Sequence, residues 1–410
     1  MMTQPSTASP STRSAVRTLH LDPADRPFIV IWEVTRACAL ACAHCRADAI
    51  TRRNSLELST DEGKALLDDL ASLGAPRPIV VLTGGDPFER DDLAELVRHG
   101  HGLGLPMALS PSVTPRLTSE ALAELRAAGA SAVSLSLDGA TPATHDAFRG
   151  FDGVHADTIE AAANVRAAGF RLQINTTVTK DNAHELPALL DTVVELGAGL
   201  WSVFFLVPTG RGEQLTALDA EGVEDVLMWL ASVADRVPVK TTEAPHFRRV
   251  MLQRADAGGE PPDYRPGPLG RLLRDAPVRS VAAPSPATIE RGGSGPRRPP
   301  LDVNAGRGFA FVDHLGAVYP SGFLPVSAGS IRRAPFTEIY RKSELLASLR
   351  DPTQLGGKCG RCEYREVCGG SRSHAYAVTG DPLGEDPTCA YERSEEHTSE
   401  LQSLAYLVCR

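Results

Sequence analysis

Between residues 28 and 207, short apolar runs rich in β-branched residues alternate with stretches of helical periodicity at short, regular spacing. No other feature of the chain constrains its fold as tightly. The runs 28–34 (FIVIWEV), 78–82 (PIVVL), 105–109, 132–137, 171–178 and 201–207 read as strands. Helices are expected at about 59–73, 91–102, 118–128, 154–168 and 182–196, the first opened by Ser59-Thr60 with Asp61 and Glu62 in its first turn. Such α/β alternation calls for a parallel sheet wrapped by helices. Six units suit a partial (β/α)6 barrel of the TIM type rather than a closed eight-stranded one; a flat doubly wound sheet is the competing arrangement. The glycine-rich dinucleotide fingerprint is absent after the first strand, where cysteines stand instead.

Beyond a further helix near 221–234, residues 255–300 are crowded with Gly, Pro and Arg and read as linker or mobile loop. Order resumes at 309–324, where two short strands flank Asp313–Gly316 as a hairpin. The expected organisation is a disordered leader at 1–25, the barrel at 26–240, a linker region at 241–305 and a small cysteine-rich unit at 306–392. From Ser394 the sequence SEEHTSELQSLAYLVCR loses connection to what precedes it and resembles translated adapter read-through; 394–410 is taken as a non-native tail and Cys409 receives no role.

A net charge of −9 provides no electrostatic footprint for nucleic acid. No window approaches the roughly 18 apolar residues of a membrane span, and the Ser/Thr/Pro-rich start lacks a signal peptide's apolar region. A cytoplasmic location with no membrane partner is the expectation. In that reducing setting, three cysteines within eight residues and four between Cys359 and Cys389 point to metal or catalysis rather than disulfides.

Cys38, Cys42 and Cys45 lie directly after the first strand, in VTRACALACAHCRADA. Loops at the carboxyl ends of barrel strands carry the chemistry in this architecture. Three thiolates ligate three irons of a 4Fe–4S cubane and leave the fourth open. Zinc with His44 as fourth ligand is the alternative, although His44 adjoins Cys45 and would cramp the tetrahedron. The motif and the β/α units after it resemble the radical S-adenosylmethionine superfamily over residues 28 to about 235. The resemblance implies that S-adenosylmethionine chelates the open iron and is cleaved by one electron to a 5′-deoxyadenosyl radical.

Further positions carry over from the resemblance one at a time. Thr83-Gly84-Gly85-Asp86-Pro87 matches the family's Gly-Gly-Glu-Pro turn, which contacts the cofactor's amino group, with Asp86 one methylene shorter than the usual Glu. Ser136-Leu137-Asp138-Gly139 resembles the segment lining the ribose and carboxylate side, and Arg149 the arginine that pairs with the cofactor carboxylate; a surface salt bridge is the plainer reading of Arg149. Asn175 and Pro208-Thr209-Gly210 fall where adenine contacts are expected. His44 is expected to pack beside the cluster rather than ligate it.

Near the C-terminus stand Cys359-x2-Cys362-x5-Cys368 and then Cys389. Four thiolates complete a cubane, and a four-cysteine zinc ribbon competes with that reading. The pattern resembles the SPASM auxiliary-cluster domain over about 306–392. Ser321 and Arg372 stand where the full family pattern has cysteines, so one auxiliary 4Fe–4S cluster is expected.

Three segments together look like the tetrapyrrole-modifying branch of the superfamily: WEVTRACALACAHCRADA, NAGRGFAFVDHLGAVYPSGFLP and GKCGRCEYREVCGGSRSHAYAVTGDPLGEDPTC. That resemblance implies hydrogen abstraction from a propionate of a haem precursor, with a reduced flavodoxin- or ferredoxin-type protein as electron donor. Arg36, Arg46, Arg211 and Arg307 are candidates to meet propionates, and His246 or His314 to face a haem iron; each is equally readable as an ordinary surface or core residue. A radical peptide maturase and a non-catalytic iron–sulfur electron carrier are the competing functions.

Overall fold

The computed structural model describes residues 22–279 and 303–393. The expected leader lies outside these residues up to position 21, as do 280–302 and the tail at 394–410.

All six expected strands form: β1 (Ile29–Thr35), β2 (Ile79–Gly84), β3 (Met107–Leu109), β4 (Ala132–Ser136), β5 (Arg171–Val178) and β6 (Leu200–Phe205). They pair in sequence order and in parallel. Two more parallel strands extend the sheet. β7 (Val239–Thr242) joins β6, and β8 (Phe309–Val312) pairs with β1 through Ile29↔Phe309 and Trp32↔Val312. β8 turns through the expected hairpin into β9 (Ala317–Tyr319), which pairs with β10 (Gly329–Ser330). β7 and β10 end the sheet without meeting, so the barrel is partial.

Helices α1 (Thr60–Ser72), α2 (Leu93–Gly102), α3 (Ser119–Ala128), α4 (Pro142–Arg149), α5 (Val154–Ala167), α6 (Leu186–Glu195) and α7 (Ala220–Ser232) accompany the strands. α1 opens with a capping box, Ser59 Oγ accepting the Glu62 N–H at 3.2 Å while the Glu62 carboxylate accepts the Ser59 N–H at 2.8 Å. It lies close against β1 because residue 63 is glycine; a Cβ there meets the Trp32 ring at 2.6 Å. The helix-facing side chains of β1–β6, among them Val30, Trp32, Val80, Leu82, Val133, Ile174 and Trp201, form one continuous core with the helices.

Two expectations are corrected. α4 was not anticipated, although Thr141 caps it by accepting the Thr144 N–H at 3.2 Å and Pro142 occupies its first turn. The 241–305 region is not a simple linker, since it holds α8 (His246–Ala257) and α9 (Pro268–Asp275). Within the described stretch 258–279, Pro and Gly punctuate rather than loosen. Asp225, buried on α7, accepts hydrogen bonds from Tyr264 Oη (2.7 Å), Gly267 N (3.0 Å) and Gly270 N (2.7 Å), which fixes the start of α9. α10 (Phe336–Lys342), α11 (Glu344–Arg350), α12 (Gly357–Arg361) and α13 (Arg372–Thr379) complete the described chain. Among the described residues no helix is long and apolar enough to cross a membrane.

Candidate active site

The loop after β1 is closed by two backbone bonds, Cys38 N–H to Ile50 O (2.9 Å) and Ile50 N–H to Arg36 O (3.0 Å). This tether gathers the three thiols at the carboxyl end of the sheet. Cys38 and Cys42 are buried and Cys45 half-buried, and none is in a disulfide. The glycine turn after β2 is zipped onto the same loop, with Gly85 N–H donating to Thr35 O (2.9 Å) and Asp86 N–H to Ala37 O (2.7 Å). A Cβ on Gly85 falls 2.3 Å from Ala37 O, so only glycine fits there.

Asp86 is wholly buried, which pushes its carboxyl up to about 6 against the bonds from Thr114 and Phe88. Its two oxygens accept from Thr114 Oγ1 (2.7 Å) and Phe88 N (3.2 Å), fixing the turn at Pro87–Glu89. Beside it, Ser112 donates to Gly85 O (2.7 Å) and accepts from the Cys38 thiol (3.4 Å). Burial raises the Cys38 thiol above its usual range. Ser112 and Thr114 follow β3 and carried no sequence signal, because only the fold brings them to the glycine turn.

Arg149 closes α4 and enters the site from the side. Its Nη1 lies 3.6 Å from Cys42 Sγ and its Nη2 pairs with Asp138 Oδ2; Nε has no partner among the described residues. The surface-salt-bridge alternative does not hold, since both Arg149 and Asp138 are buried. Asp138 Oδ1 accepts the Thr177 N–H at 2.7 Å. Burial works to raise the Asp138 carboxyl, but Arg149, His44, His145 and the Thr177 N–H together outweigh it and hold the group below its usual range. His145 Nδ1 accepts the Asp138 backbone N–H at 3.0 Å, and burial lowers this imidazole to about 4, so it is neutral near pH 7. Asp138 thus orients Arg149 from within the protein.

Ser136 and Asn175 sit opposite each other in register on β4 and β5. Asn175 Oδ1 accepts from Gln173 Nε2 at 2.7 Å. His44 stacks on Phe148 with ring centroids 4.6 Å apart, and burial lowers it to about 4. Packing rather than ligation is what the geometry displays. Toward β8, buried Glu33 accepts from Arg46 (2.7 Å) and His314 Nδ1 (2.9 Å), while the Arg46 guanidinium covers Phe311. His314 is therefore engaged by a carboxylate.

The second thiol set lies on α12 and the turns around it. Cys359 Sγ accepts from Asp386 N (3.3 Å) and lies 3.6 Å from Arg372 Nη2; Cys368 Sγ accepts from Gly370 N (3.4 Å). His246 Nε2 stands 3.0 Å from Asp386 Oδ2, both fully buried, and beside Cys389. Burial works to lower His246, but the charge and hydrogen bond of Asp386 together with Cys389 and Cys368 outweigh it and hold the imidazole well above its usual value. His246 is thus occupied beneath the thiol set. The two positions lacking family cysteines have other partners: Ser321 donates to Glu243 Oε1 (2.8 Å), and buried Arg372 donates to Pro382 O (3.0 Å) and Gly384 O (2.7 Å).

Among the described residues no three His, Cys, Asp or Glu side chains converge on a point suited to one metal ion. The donor chemistry at both sets fits an iron–sulfur cubane. Each is made of thiols alone, with backbone or guanidinium N–H groups on their sulfurs, the kind of contact that tunes such clusters.

The comparisons agree with this geometry. Residues 32–193 match the model of the radical SAM superfamily. An AdoMet-dependent heme synthase of Methanosarcina barkeri is 40% identical over 89% of this chain and 97% of its own length. An Fe-coproporphyrin III synthase of the same organism is 31% identical over 90% of each chain. The solved structure of native anSMEcpe with bound AdoMet shares the fold at a TM-score of 0.61 and 14% identity, covering 93% of this chain and all of that one. This chain is an enzyme that uses a 4Fe–4S cluster and S-adenosylmethionine, and it belongs to the radical SAM superfamily, in the family of the AdoMet-dependent heme synthases.

Proposed function

We propose that this enzyme oxidatively decarboxylates propionate side chains of an iron tetrapyrrole. The reading is carried by the likeness to a heme synthase along nearly its whole length. The reaction balances simply. A propionate loses one β-hydrogen atom, one electron and carbon dioxide, and a vinyl group remains.

Cys38, Cys42 and Cys45 would hold the cluster that, with S-adenosylmethionine, supplies the hydrogen-abstracting 5′-deoxyadenosyl radical. Cys359, Cys362, Cys368 and Cys389 would hold a closed cluster able to take up the electron released. The protein's own part is positioning. Asp138 and the Thr177 N–H lock Arg149 against the Cys42 sulfur, where its unpartnered Nε is free to receive the cofactor carboxylate. Gly84, Gly85 and Asp86 would shape the cofactor's amino end, the Asp86 carboxylate through the turn it caps. Ser136 and Asn175 would line the nucleoside side. The stack of His44 on Phe148 packs one flank of the cysteine loop.

In this proposal the catalytic barrel spans 26–240 and the auxiliary unit 306–392, the substrate is a small molecule, and a flavodoxin- or ferredoxin-type protein delivers electrons in the cytoplasm. The test is anaerobic incubation of cluster-loaded protein with S-adenosylmethionine, a reductant and iron-coproporphyrin III or decarboxylated siroheme. Loss of carbon dioxide and two hydrogens per reacting side chain is expected by mass spectrometry. An unchanged mass in both, alongside 5′-deoxyadenosine formation, would discard the substrate while retaining the radical chemistry.

A further inference from the structure

Four arginines were candidates to meet substrate carboxylates, and the structure separates one from the rest. Arg36 Nη2 donates to Asp48 O (2.6 Å), Arg46 is paired with Glu33 (2.7 Å), and Arg307 Nη1 donates to Glu366 O (3.1 Å). Arg211 differs. Its Nε and Nη2 are both sealed from solvent and neither has a hydrogen-bond acceptor among the described residues. Those two nitrogens form one edge of the guanidinium fork, the edge that grips a carboxylate with two parallel bonds.

The residue is firmly placed at the site. It follows β6 in the short turn Gly210–Gln214, and its backbone N–H donates to Cys45 O at 3.1 Å. Gly210 is packed so closely that a Cβ there lies 2.7 Å from Arg46 O and 2.8 Å from Cys45 O, so the turn cannot drift from the cysteine loop. His44 lies within the electrostatic reach of both Arg149 and Arg211. Three acids at this end of the sheet are committed elsewhere: Asp138 to Arg149 and Thr177, Glu33 to Arg46 and His314, Glu243 to Ser321 and Ser371. A desolvated guanidinium edge without an acceptor is costly. We infer that Arg211 is a carboxylate receptor whose partner arrives with a ligand, completing the fork beside the cysteine loop.

Two ligands bring carboxylates, the propionates of a tetrapyrrole and the methionyl end of S-adenosylmethionine, and the first of these rests on the function proposed above. Equilibrium dialysis on the anaerobic holoenzyme distinguishes them, using iron-coproporphyrin III and S-adenosylmethionine as separate probes. Wild type is compared with Arg211→Met and Arg211→Lys, with circular dichroism and melting curves to show that each is folded. Arg211→Met should weaken the receptor's ligand about 10- to 100-fold, the range for losing a charge-assisted hydrogen-bonded pair. Arg211→Lys keeps the charge but not the fork and should fall between. Loss confined to the porphyrin assigns the substrate's propionate; loss confined to S-adenosylmethionine assigns the cofactor's carboxylate. Retention of both ligands within twofold in Arg211→Met overturns the inference. Equal losses of both ligands in both variants mark a collapsed turn and overturn it as well. If wild type takes up S-adenosylmethionine and no porphyrin, the tetrapyrrole reading fails, and Arg211 is judged on the cofactor arm alone.

Discussion

Replacing Asp138 by Asn tests the central claim that a buried carboxylate sets the position of Arg149. The substitution is nearly isosteric and leaves an oxygen for the Thr177 N–H, which donates to Oδ1 at 2.7 Å. What it removes is the charge facing Arg149 Nη2. Both side chains are buried, so the guanidinium is left without its counter-ion in a poorly solvated place. Breaking one half of such a pair costs about 3 to 5 kcal/mol, far more than the loss of an exposed pair. Removing the other half as well relieves most of that penalty. Asp138→Asn and Arg149→Met should therefore each destabilise strongly, while the double variant should lie well above the sum of the two. Urea denaturation of the cluster-free protein under reducing conditions, at constant pH, measures all four corners of the cycle. Because the Asp138 carboxyl is held below its usual range, its contribution is complete above the unfolded value of 3.8 and is lost only as pH falls through the lower folded value. The coupling should thus be the same at pH 6 and pH 8. Additive single effects, or an Asp138→Asn cost below about 0.5 kcal/mol, would refute the reasoning.

Other expectations follow from neighbouring contacts. Gly85→Ala drives a methyl to within 2.3 Å of Ala37 O and 2.6 Å of Arg36 O, both rigid backbone, and should cost about 1 to 3 kcal/mol together with most of the iron bound by the first thiol set, measured by iron analysis. Asp225→Ala leaves the Gly267 and Gly270 N–H groups and Tyr264 Oη without their acceptor, so 258–279 should become the first site of proteolytic cleavage while 5′-deoxyadenosine formation persists. Glu62 is held at about 2 by Arg332 and the Ser59 N–H, so its contribution is present above about pH 4.5 and lost as pH falls toward 2. Melting temperatures of Glu62→Gln and wild type should accordingly converge at acid pH and differ slightly at neutral pH, since this pair is largely exposed.

Much of the fold was legible because strands β1–β6 announce themselves as apolar, β-branched runs between capped helices. β7 was not, since its four residues (VKTT) are half-buried and carry no apolar run; its place is set by pairing with β6. α9 was masked by a composition that ordinarily means loop, and Asp225 on α7, some 40 residues upstream, supplies the order; α8 (HFRRVMLQRADA) lies largely before that stretch and has neither Gly nor Pro. α4 did carry a signal, the Thr141 cap followed by Pro142, that went unread.

The site divides in the same way. Thiols declare themselves by spacing, and Gly84–Asp86 by the turn after β2. Ser112, Thr114 and Glu243 acquire meaning only from partners far along the chain. Asp138 stands among the candidate site residues, but its grip on Arg149 was not legible, because the separation between a residue that meets a ligand and one that holds its neighbour is a matter of which way the carboxylate faces.

The insertion of β8 beside β1 ties the two thiol sets together mechanically. β1 delivers its chain directly into the loop of Cys38, and its Glu33 is gripped by Arg46 from that loop and by His314 from the hairpin after β8. The C-terminal segment is bound again where Arg248 on α8 donates to Val367 O (2.8 Å), next to Cys368, and where His374 Nε2 lies 2.9 Å from Leu206 O. Contacts of this kind join the segment through a sheet register and buried polar bonds, not through a surface patch. A displacement of the second thiol set relative to the first would have to break these bonds and those of Asn304 Nδ2, just before β8, to Cys368 O (3.1 Å) and Gly370 O (2.8 Å). These contacts hold the two thiol sets in one framework, which is what the proposed passage of an electron from substrate to the second set would require.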